Sequence, residues 1–210
     1  MTRICIFGAS GATGLALIQL AVGRGLGVTA FVRSEAAGIK LPRGVTVVVG
    51  DLLNPGDVKR ALTDCDAVVC VIGPRASSPE VFCADATQNI IDAMKAQNVR
   101  RLICQTGAMI GDYAHLSWFM RWMRSTYQKQ QPALARDRAE QERRVMASGL
   151  DWTIVKPPRL TDGKERGRVQ SGENLKVGAT SSISRADLSR FILDQIDKRE
   201  YVGKQVVVQF

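Results

Sequence analysis

Histidine is almost absent from this 210-residue sequence, and features of secreted, membrane-spanning or metal-binding proteins are also missing. It contains one histidine, His115, and five cysteines without any C-x-x-C spacing. An odd number of cysteines argues against a disulfide framework, and a single imidazole argues against a zinc or iron site. No apolar run has the length of a transmembrane helix, and the opening MTRICIFGAS does not read as a secretory signal. We therefore expect a cytoplasmic protein with no metal and no membrane association.

Basic residues exceed acidic ones. Lys and Arg number 29 against 20 Asp and Glu, which gives a net charge of +9 and a pI near 9.7. Such an excess attracts phosphates, acidic ligands or nucleic acid. No zinc finger, RNP-type aromatic pair or helix-turn-helix pattern accompanies it, so we expect an anionic small molecule and no nucleic acid as the partner.

Apolar, strand-like runs alternate with helix-like segments along the chain. The predicted strands are 4–8, 28–32, 45–50, 67–73, 101–106, 151–155 and 205–210. The predicted helices are 12–24, 55–63, 80–97, 133–148 and 184–197, the last with capping-box spacing between Ser184 and Asp187. Most strands are continuous apolar runs, as expected for strands buried on both faces. This alternation predicts a single α/β domain over residues 1–210, of the Rossmann type, with a doubly wound, mostly parallel sheet.

Cys5, Cys70 and Cys104 fall within these apolar runs. A buried free thiol behaves as a small hydrophobe, and we favour that role over a redox function.

The stretch IFGASGATG, residues 6–14, places three glycines between the first strand and the first helix. In this context Gly8 permits a tight turn, Gly11 lets the backbone approach a pyrophosphate, and Gly14 lets the helix pack against the sheet. The helix N-terminus offers N–H groups to phosphate oxygens, and Ser10 and Thr13 can add hydroxyl donors. The pattern predicts a dinucleotide-binding turn rather than a purely structural one.

The second strand is followed by Arg33 instead of an acidic residue. An acidic side chain there would bind the ribose 2′-hydroxyl of NAD, whereas a guanidinium pairs with the 2′-phosphate of NADP. Ser34 can assist, with Lys40 or Arg43 as possible further charges. The sequence therefore predicts NADP(H) as the cofactor.

The ends of the later strands complete the predicted groove. Asp51 can accept from the adenine amino group, with Leu52 beside the ring. Gly73 gives the cofactor room, and Arg75 can face its phosphates or an acidic ligand. The segments CQTGAM and VKPPRLTDG follow the fifth and sixth strands and should flank the nicotinamide, because they lie furthest from the adenine side.

With these motifs, the chain resembles the atypical short-chain dehydrogenase/reductases of the NAD(P)H-binding family, and most of all their biliverdin-IXβ reductase (flavin reductase) branch. Gly-Asp after the third strand, Gly-x-Arg after the fourth and Pro-Pro after the sixth carry the resemblance, which extends over nearly the whole chain. It implies hydride transfer from NADPH to planar conjugated acceptors: flavins such as FMN, biliverdin-type tetrapyrroles, or quinones. The cofactor residues it implies are Gly8, Ser10, Gly11, Ala12, Thr13, Arg33, Asp51, Leu52, Gly73, Arg75, Thr106 and Pro157.

The sequence departs from this branch at two positions. Gly107 stands where these reductases have a serine near the nicotinamide, and Arg159 stands where they have a histidine. The Tyr-x-x-x-Lys pair of other short-chain dehydrogenases is also absent, since Tyr113 and Tyr127 are followed four residues later by Ser117 and Gln131. We therefore expect an acceptor that delocalises the incoming charge, and we assign no catalytic residue.

Residues 107–132 include a basic, aromatic stretch, AHLSWFMRWMRSTYQKQQP. We favour a lid over the substrate, while a dimer contact and a membrane surface stay open. The candidate substrate-binding residues are Gly107, Met109, Trp118, Trp122 and Arg159.

Two functions follow. The first is an NADPH-dependent reductase of a planar, anionic acceptor, acting as a monomer or weak homodimer. The alternative is a non-catalytic, NADP(H)-sensing regulatory protein that binds a protein partner. An isomerase or epimerase that uses tightly held NAD is a lesser possibility, because it would need an acid/base pair that the sequence does not show.

Overall fold

A computed structural model describes residues 1–38, 41–74, 80–111, 114 and 116–210. The strands in these ranges are β1 (Arg3–Phe7), β2 (Gly27–Val32), β3 (Thr46–Val49), β4 (Ala67–Cys70), β5 (Arg101–Gln105), β6 (Asp151–Lys156), β7 (Arg159–Thr161), β8 (Gln170–Gly172), β9 (Ser182–Ser184) and β10 (Lys204–Gln209). The helices are α1 (Ala12–Gly23), α2 (Glu35–Gly38), α3 (Pro55–Ala61), α4 (Cys83–Ala96), α5 (Trp118–Gln130), α6 (Pro132–Met146) and α7 (Arg185–Lys198).

Eight strands form one sheet in the order β3-β2-β1-β4-β5-β6-β10-β8. All neighbours pair in parallel except β8, which runs antiparallel to β10 at the edge. Strands β7 and β9 form a separate two-stranded parallel pair. The predicted Rossmann-type fold is therefore confirmed. The strand order reverses between β1 and β4, so the crevice for a ligand opens at the carboxyl ends of these strands.

Helices cover both faces of the sheet. On one face α1 packs against α7, and on the other α4 packs between α3 and α6. Each face has its own apolar core, and all five cysteines are free and buried in the core on the α4 side. The buried position of the thiols agrees with their predicted role as small hydrophobes.

The predicted cap of the last helix is present. The Ser184 hydroxyl oxygen accepts from the Asp187 N–H at 3.0 Å, and the hydroxyl donates to the Asp187 carboxylate at 2.5 Å. The same carboxylate accepts from the N–H groups of Arg166 and Gly167 at 3.0 and 2.9 Å. Burial raises the pKa of Asp187, but these hydrogen bonds outweigh burial and hold it below the ordinary value.

The structure differs from the sequence prediction at the fourth strand, which was predicted to reach residue 73. It ends at Cys70, and residues 71–73 turn into the crevice at the switch point. In the part of the chain that the structure describes, no helix combines the length and the apolar character needed to cross a bilayer. Over the same ranges, no group of three or more His, Cys, Asp or Glu side chains is arranged to hold a metal ion.

Candidate functional site

The glycine turn between β1 and α1 is so compact that two of its positions exclude any side chain. Gly8 has a φ of +88°, and a Cβ atom added there would lie 2.7 Å from the Val71 carbonyl oxygen. A Cβ on Gly14 would lie 2.2 Å from the Gly8 carbonyl oxygen. Both separations are far below ordinary contact distances, so the tight turn and the close packing of α1 on β1 depend on glycine.

The first turn of α1 is open toward the crevice. Its N-cap residue, Gly11, is extended, and no side chain hydrogen-bonds to the cap. Ser10, Gly11 and Ala12 are exposed, whereas Thr13 is buried. The first-turn N–H groups and the positive end of the helix are therefore available to an anionic group, and no acidic side chain in the first turn opposes it.

Arg33 lies at the end of β2 and lines the same crevice as Gly8 and Ser10. Its side chain is 47% exposed, and Nη1 lies 3.4 Å from Oε2 of Glu80. Ser34 follows it and is exposed. Glu80 was not predicted, because it lies 47 positions from Arg33 and sequence periodicity carries no signal of so distant a contact. Of the two predicted extra charges, Arg43 is exposed and Lys40 falls outside the described ranges.

The loop after β3 places Asp51 and Leu52 at the adenine end of the predicted groove. Asp51 is exposed and its Oδ1 accepts from the Leu53 N–H at 2.9 Å, which closes a local turn. The Asp51 N–H donates to Asp57 at 3.0 Å, and this bond is the main reason why the pKa of Asp57 is lowered. Leu52 is buried, and both residues border a cavity that also contacts Arg33 and Glu80.

Beyond β4, Gly73 lines the crevice and Pro74 lines another, larger cavity. The two cavities therefore meet at consecutive residues. Arg75, the next predicted cofactor residue, lies outside the described part of the chain.

The cavity that Pro74 lines has a volume of about 1180 Å³ and a mostly apolar wall. Its wall combines the ends of β5 and β6 with one face of α5 and one residue of α6. Five sequence-predicted residues line it: Thr106, Gly107, Met109, Pro157 and Arg159. Met120, Met123 and Tyr127 of α5 line it as well and were not predicted. We call this cavity the acceptor pocket.

Trp118 and Trp122, which were predicted as substrate-binding residues, do not line the acceptor pocket. Both lie on the outer side of α5, 81% and 62% exposed, in ring contact with Phe119. The reason is helical periodicity: residues four apart share a face, and the face toward the pocket carries Met120, Met123 and Tyr127. The aromatic residues of this segment thus divide between two faces, which a count of aromatic residues cannot reveal.

A buried ion pair lies behind the pocket wall. The Thr106 hydroxyl donates to Oε1 of Glu142 at 2.5 Å, and Oε2 of the same carboxylate lies 3.1 Å from Nζ of Lys156. The Glu142 and Lys156 side chains are only 1% and 2% exposed. Lys156 also donates to the Ile110 carbonyl and, at 3.0 Å, to Oε1 of Gln205. Glu142 lies within the predicted helix 133–148, but the sequence does not indicate that the buried face of this helix is polar.

Arg138 is a second buried cation, and it lines the acceptor pocket directly. Its guanidinium donates to the carbonyl oxygens of Ile72 and Gln105, at 3.0 and 3.4 Å, and to Oε1 of Gln141 at 2.6 Å. None of the ion pairs among the described residues includes Arg138. A cation therefore faces the pocket, next to the carboxyl ends of β4 and β5, without a carboxylate from this part of the protein.

Comparison with known proteins assigns the family. The model of the NAD(P)H-binding family matches residues 8–199, which is most of the chain. The chain belongs to the NAD(P)H-binding family. Membership in this family indicates a nicotinamide cofactor, and the glycine turn fits it, because the Cβ atoms excluded at Gly8 and Gly14 leave the backbone close to the crevice.

Relatives of this NAD(P)H-binding protein include reductases. This chain is 35% identical over 103 residues to the 2-alkyl-3-oxoalkanoate reductase of Shewanella oneidensis. The match covers 47% of this chain and only 26% of that protein. It is 29% identical over 216 residues to the uncharacterised YwnB of Bacillus subtilis, covering 98% of this chain and 97% of that protein.

Solved structures agree with the fold. A Rossmann-fold NAD(P)-binding family protein from Shigella flexneri superposes with a TM-score of 0.75 at 26% identity, over 99% of this chain and 93% of that one. ChuY, an anaerobillin reductase from Escherichia coli O157:H7, superposes with a TM-score of 0.82 at 23% identity, over 99% of this chain and 96% of that one. Together with the family match, these structures support a Rossmann fold that binds a nicotinamide cofactor.

Proposed function

We propose that this protein is an NADPH-dependent reductase that transfers hydride to a planar, conjugated, anionic acceptor such as FMN, a biliverdin-type tetrapyrrole or an acidic quinone. The observation that carries the proposal is the acceptor pocket, which adjoins the cofactor crevice and presents two arginines in a mostly apolar wall. We also propose that residues 107–132 act as its lid, since α5 supplies Met120, Met123 and Tyr127 to the wall.

The preference for NADPH rests on Arg33. A half-exposed guanidinium at the end of β2, on the edge of the crevice, suits a 2′-phosphate. Oε2 of Glu80 lies 3.4 Å from Nη1 of Arg33 and partly neutralises this charge. The phosphate would carry more charge than a carboxylate and would replace Glu80 as the partner of Arg33.

The shape and charge of the pocket support the acceptor class. Methionine side chains adapt to flat, conjugated rings of different outlines, and Met109, Met120 and Met123 all lie in the wall. Arg138 and Arg159 supply positive charge at the same wall, where Arg138 is buried and Arg159 is exposed. A carboxylate or phosphate on the acceptor would satisfy this charge in a region of low dielectric, where it is most favourable.

The chemistry follows from what the site holds. The bound cofactor supplies the hydride. Gly107 contributes no side chain, so the hydroxyl groups identified at the pocket are those of Thr106, Tyr127 and Ser181. The arginines orient the acceptor and stabilise the negative charge that it gains, so binding and electrostatics supply most of the rate enhancement.

The NADP(H)-sensing alternative is favoured by one observation. Trp118, Phe119 and Trp122 form an exposed aromatic patch on α5, as a surface for a protein partner does. A sensor would bind the dinucleotide without consuming it.

Steady-state oxidation of NADPH, followed by absorbance, tests the proposal when FMN, biliverdin and a neutral quinone are offered separately, with NADH as the control donor. We expect Arg33→Ala to weaken NADPH binding by about 10- to 100-fold, as loss of a charged hydrogen bond does, and to leave NADH binding unchanged. The matched control is Arg136→Ala, which removes an exposed arginine of α6 that does not line the crevice. We expect Arg159→Gln to slow the anionic acceptors more than the neutral quinone. Tight NADPH binding without turnover of any acceptor would reject the reductase and favour the sensor.

A further inference from the structure

Two separate cavities meet the two ends of the buried ion pair. Thr106 lines the acceptor pocket. Lys156 lines a different cavity, of about 870 Å³, beside β6 and β10, which we call the second cavity. The two cavities share no lining residue. Between them run the Thr106 hydroxyl, both carboxylate oxygens of Glu142 and the Lys156 ammonium, joined at 2.5 and 3.1 Å.

The second cavity is open and polar. Glu173 and Lys204 border it and form an exposed ion pair at 2.9 Å, so water reaches this side. Gln205 also borders it, and its Oε1 accepts from Lys156 at 3.0 Å. Lys156 is therefore the point at which the buried cluster meets a hydrated surface.

Stability alone does not account for this arrangement. A buried ion pair gains little over a well-packed apolar pair, because desolvation offsets the attraction between the charges. Here the pair is also connected, through a hydroxyl, to the wall of the pocket in which a reduction would occur. Reduction by hydride leaves negative charge on the acceptor, and that charge needs a proton.

We propose that Thr106, Glu142 and Lys156 form a proton path that carries a proton from the second cavity to the reduced acceptor. The proposal rests on the reductase function proposed above and adds the source of the proton. Thr106 is the residue that touches the acceptor, whereas Glu142 and Lys156 act through it.

The acceptor gains a hydride from NADPH, which leaves NADP⁺, and it gains the hydroxyl proton of Thr106 at the atom that carries the negative charge. Lys156 passes a proton to the Glu142 carboxylate, and the protonated Glu142 replaces the proton that Thr106 has given up. Lys156 then regains its proton from the solvent in the second cavity. The net reaction consumes NADPH, the acceptor and one solvent proton. The cluster returns to its starting state of one carboxylate, one ammonium and one hydroxyl.

The first test needs neither cofactor nor acceptor. The Thr106 hydroxyl proton, identified in the proton NMR spectrum by its loss in Thr106→Val, exchanges with water at a measurable rate. We expect Lys156→Met to slow this exchange, because the proton then lacks its route to the second cavity. If the cluster were only structural, the same substitution would loosen it and exchange would be unchanged or faster, which would overturn the proposal. Gln205→Leu, which keeps the ion pair and closes its hydrated side, should slow exchange for the same reason and replaces Lys156→Met if that variant does not fold.

The second test is turnover. We expect Thr106→Val, which keeps the side-chain shape, to lower kcat by about 100-fold, the lower end of the range for a positioned proton donor, while Thr106→Ser retains activity. A small weak acid in the buffer should restore kcat of the valine variant and have no effect on the wild type, with kcat compared at saturating NADPH. Equal activity of the valine and serine variants would overturn the proposal. Slowed exchange in a protein that reduces no acceptor would instead reject the reductase and leave the proton path intact.

Discussion

Gly111 offers a direct test of how tightly the buried ion pair is held. The residue has a φ of +66°, and a Cβ atom added there would lie 2.1 Å from Oε2 of Glu142 and 3.2 Å from Nζ of Lys156. Gly111→Ala therefore forces the carboxylate away from its partner. Gly149 is a matched control, because it has a φ of +70° and no atom within 4 Å of an added Cβ.

The expected magnitudes follow from these environments. An alanine in the left-handed region costs about 1–2 kcal/mol at either position. At Gly111 the ion pair must also separate within the protein interior, and the loss of a buried pair costs about 3–5 kcal/mol. We therefore expect Gly149→Ala to lower the free energy of unfolding by about 1–2 kcal/mol and Gly111→Ala by about 4–7 kcal/mol.

Urea unfolding followed by tryptophan fluorescence measures both losses, and thermal unfolding provides a second measure. Since 1 kcal/mol changes the melting temperature of a domain of this size by about 2–4 °C, the alanine at Gly111 should lower it by about 8 °C or more. Equal losses for the two variants would refute the reasoning, because they would show that the cluster moves aside without cost.

Four other predictions follow from the site and its supports. Glu80→Gln should strengthen NADPH binding by up to about fivefold and leave NADH binding unchanged in fluorescence titrations, because it removes the carboxylate beside the cofactor arginine; an equal gain for NADH would contradict this. Gly107→Ser should leave the melting temperature unchanged, since the nearest atom to an added Cβ is 4.0 Å away, and should raise turnover of biliverdin by adding a hydroxyl to the pocket; a lower turnover would argue against that position facing the acceptor. Replacing Trp118 and Trp122 together by serine should leave kcat and KM unchanged, and a raised KM would return them to the acceptor site. Asp187→Asn should destabilise the protein at pH 7, but progressively less as pH falls below about 4. The reason is that a carboxylate whose pKa is lowered in the folded state stabilises the fold above its unfolded pKa and loses this effect when it is protonated. A loss of stability that is independent of pH in urea unfolding would show that the charge is not responsible.

Much of the fold could be predicted from the sequence because its signals are local and repeated. Continuous apolar runs identified the seven strands β1 to β6 and β10, and helices α1, α3, α4, α6 and α7 followed from periodicity and from the spacing of Ser184 and Asp187. Helices α2 and α5 were not predicted. The strands β7, β8 and β9 were missed because each has only three residues, too few to establish a period. The second of these lies antiparallel at the sheet edge, a position set by pairing with β10.

The residues of the candidate site likewise divide into those with a local sequence signal and those without one. The glycine turn and Arg33 could be predicted because the residues that form the crevice follow strand ends directly in sequence. Arg138 and Glu142 could not, since they come from the middle of α6, where a polar residue on a buried face resembles one on a solvated face until the partner strands are known. The exposed position of Trp118 could not be predicted either, because composition does not specify which face of α5 meets the pocket.

The two cavities that meet at Gly73 and Pro74 draw on different halves of the chain. The crevice for the nicotinamide cofactor is lined by residues up to Phe82, whereas all but one of the residues lining the acceptor pocket lie between Gln105 and Ser181. The later segment can therefore be altered without replacing any residue that lines the crevice around Gly8. Under the proposed reductase function, a gene encoding such a chain could acquire a new acceptor by changes confined to its second half, while the residues proposed to hold the hydride donor stay the same.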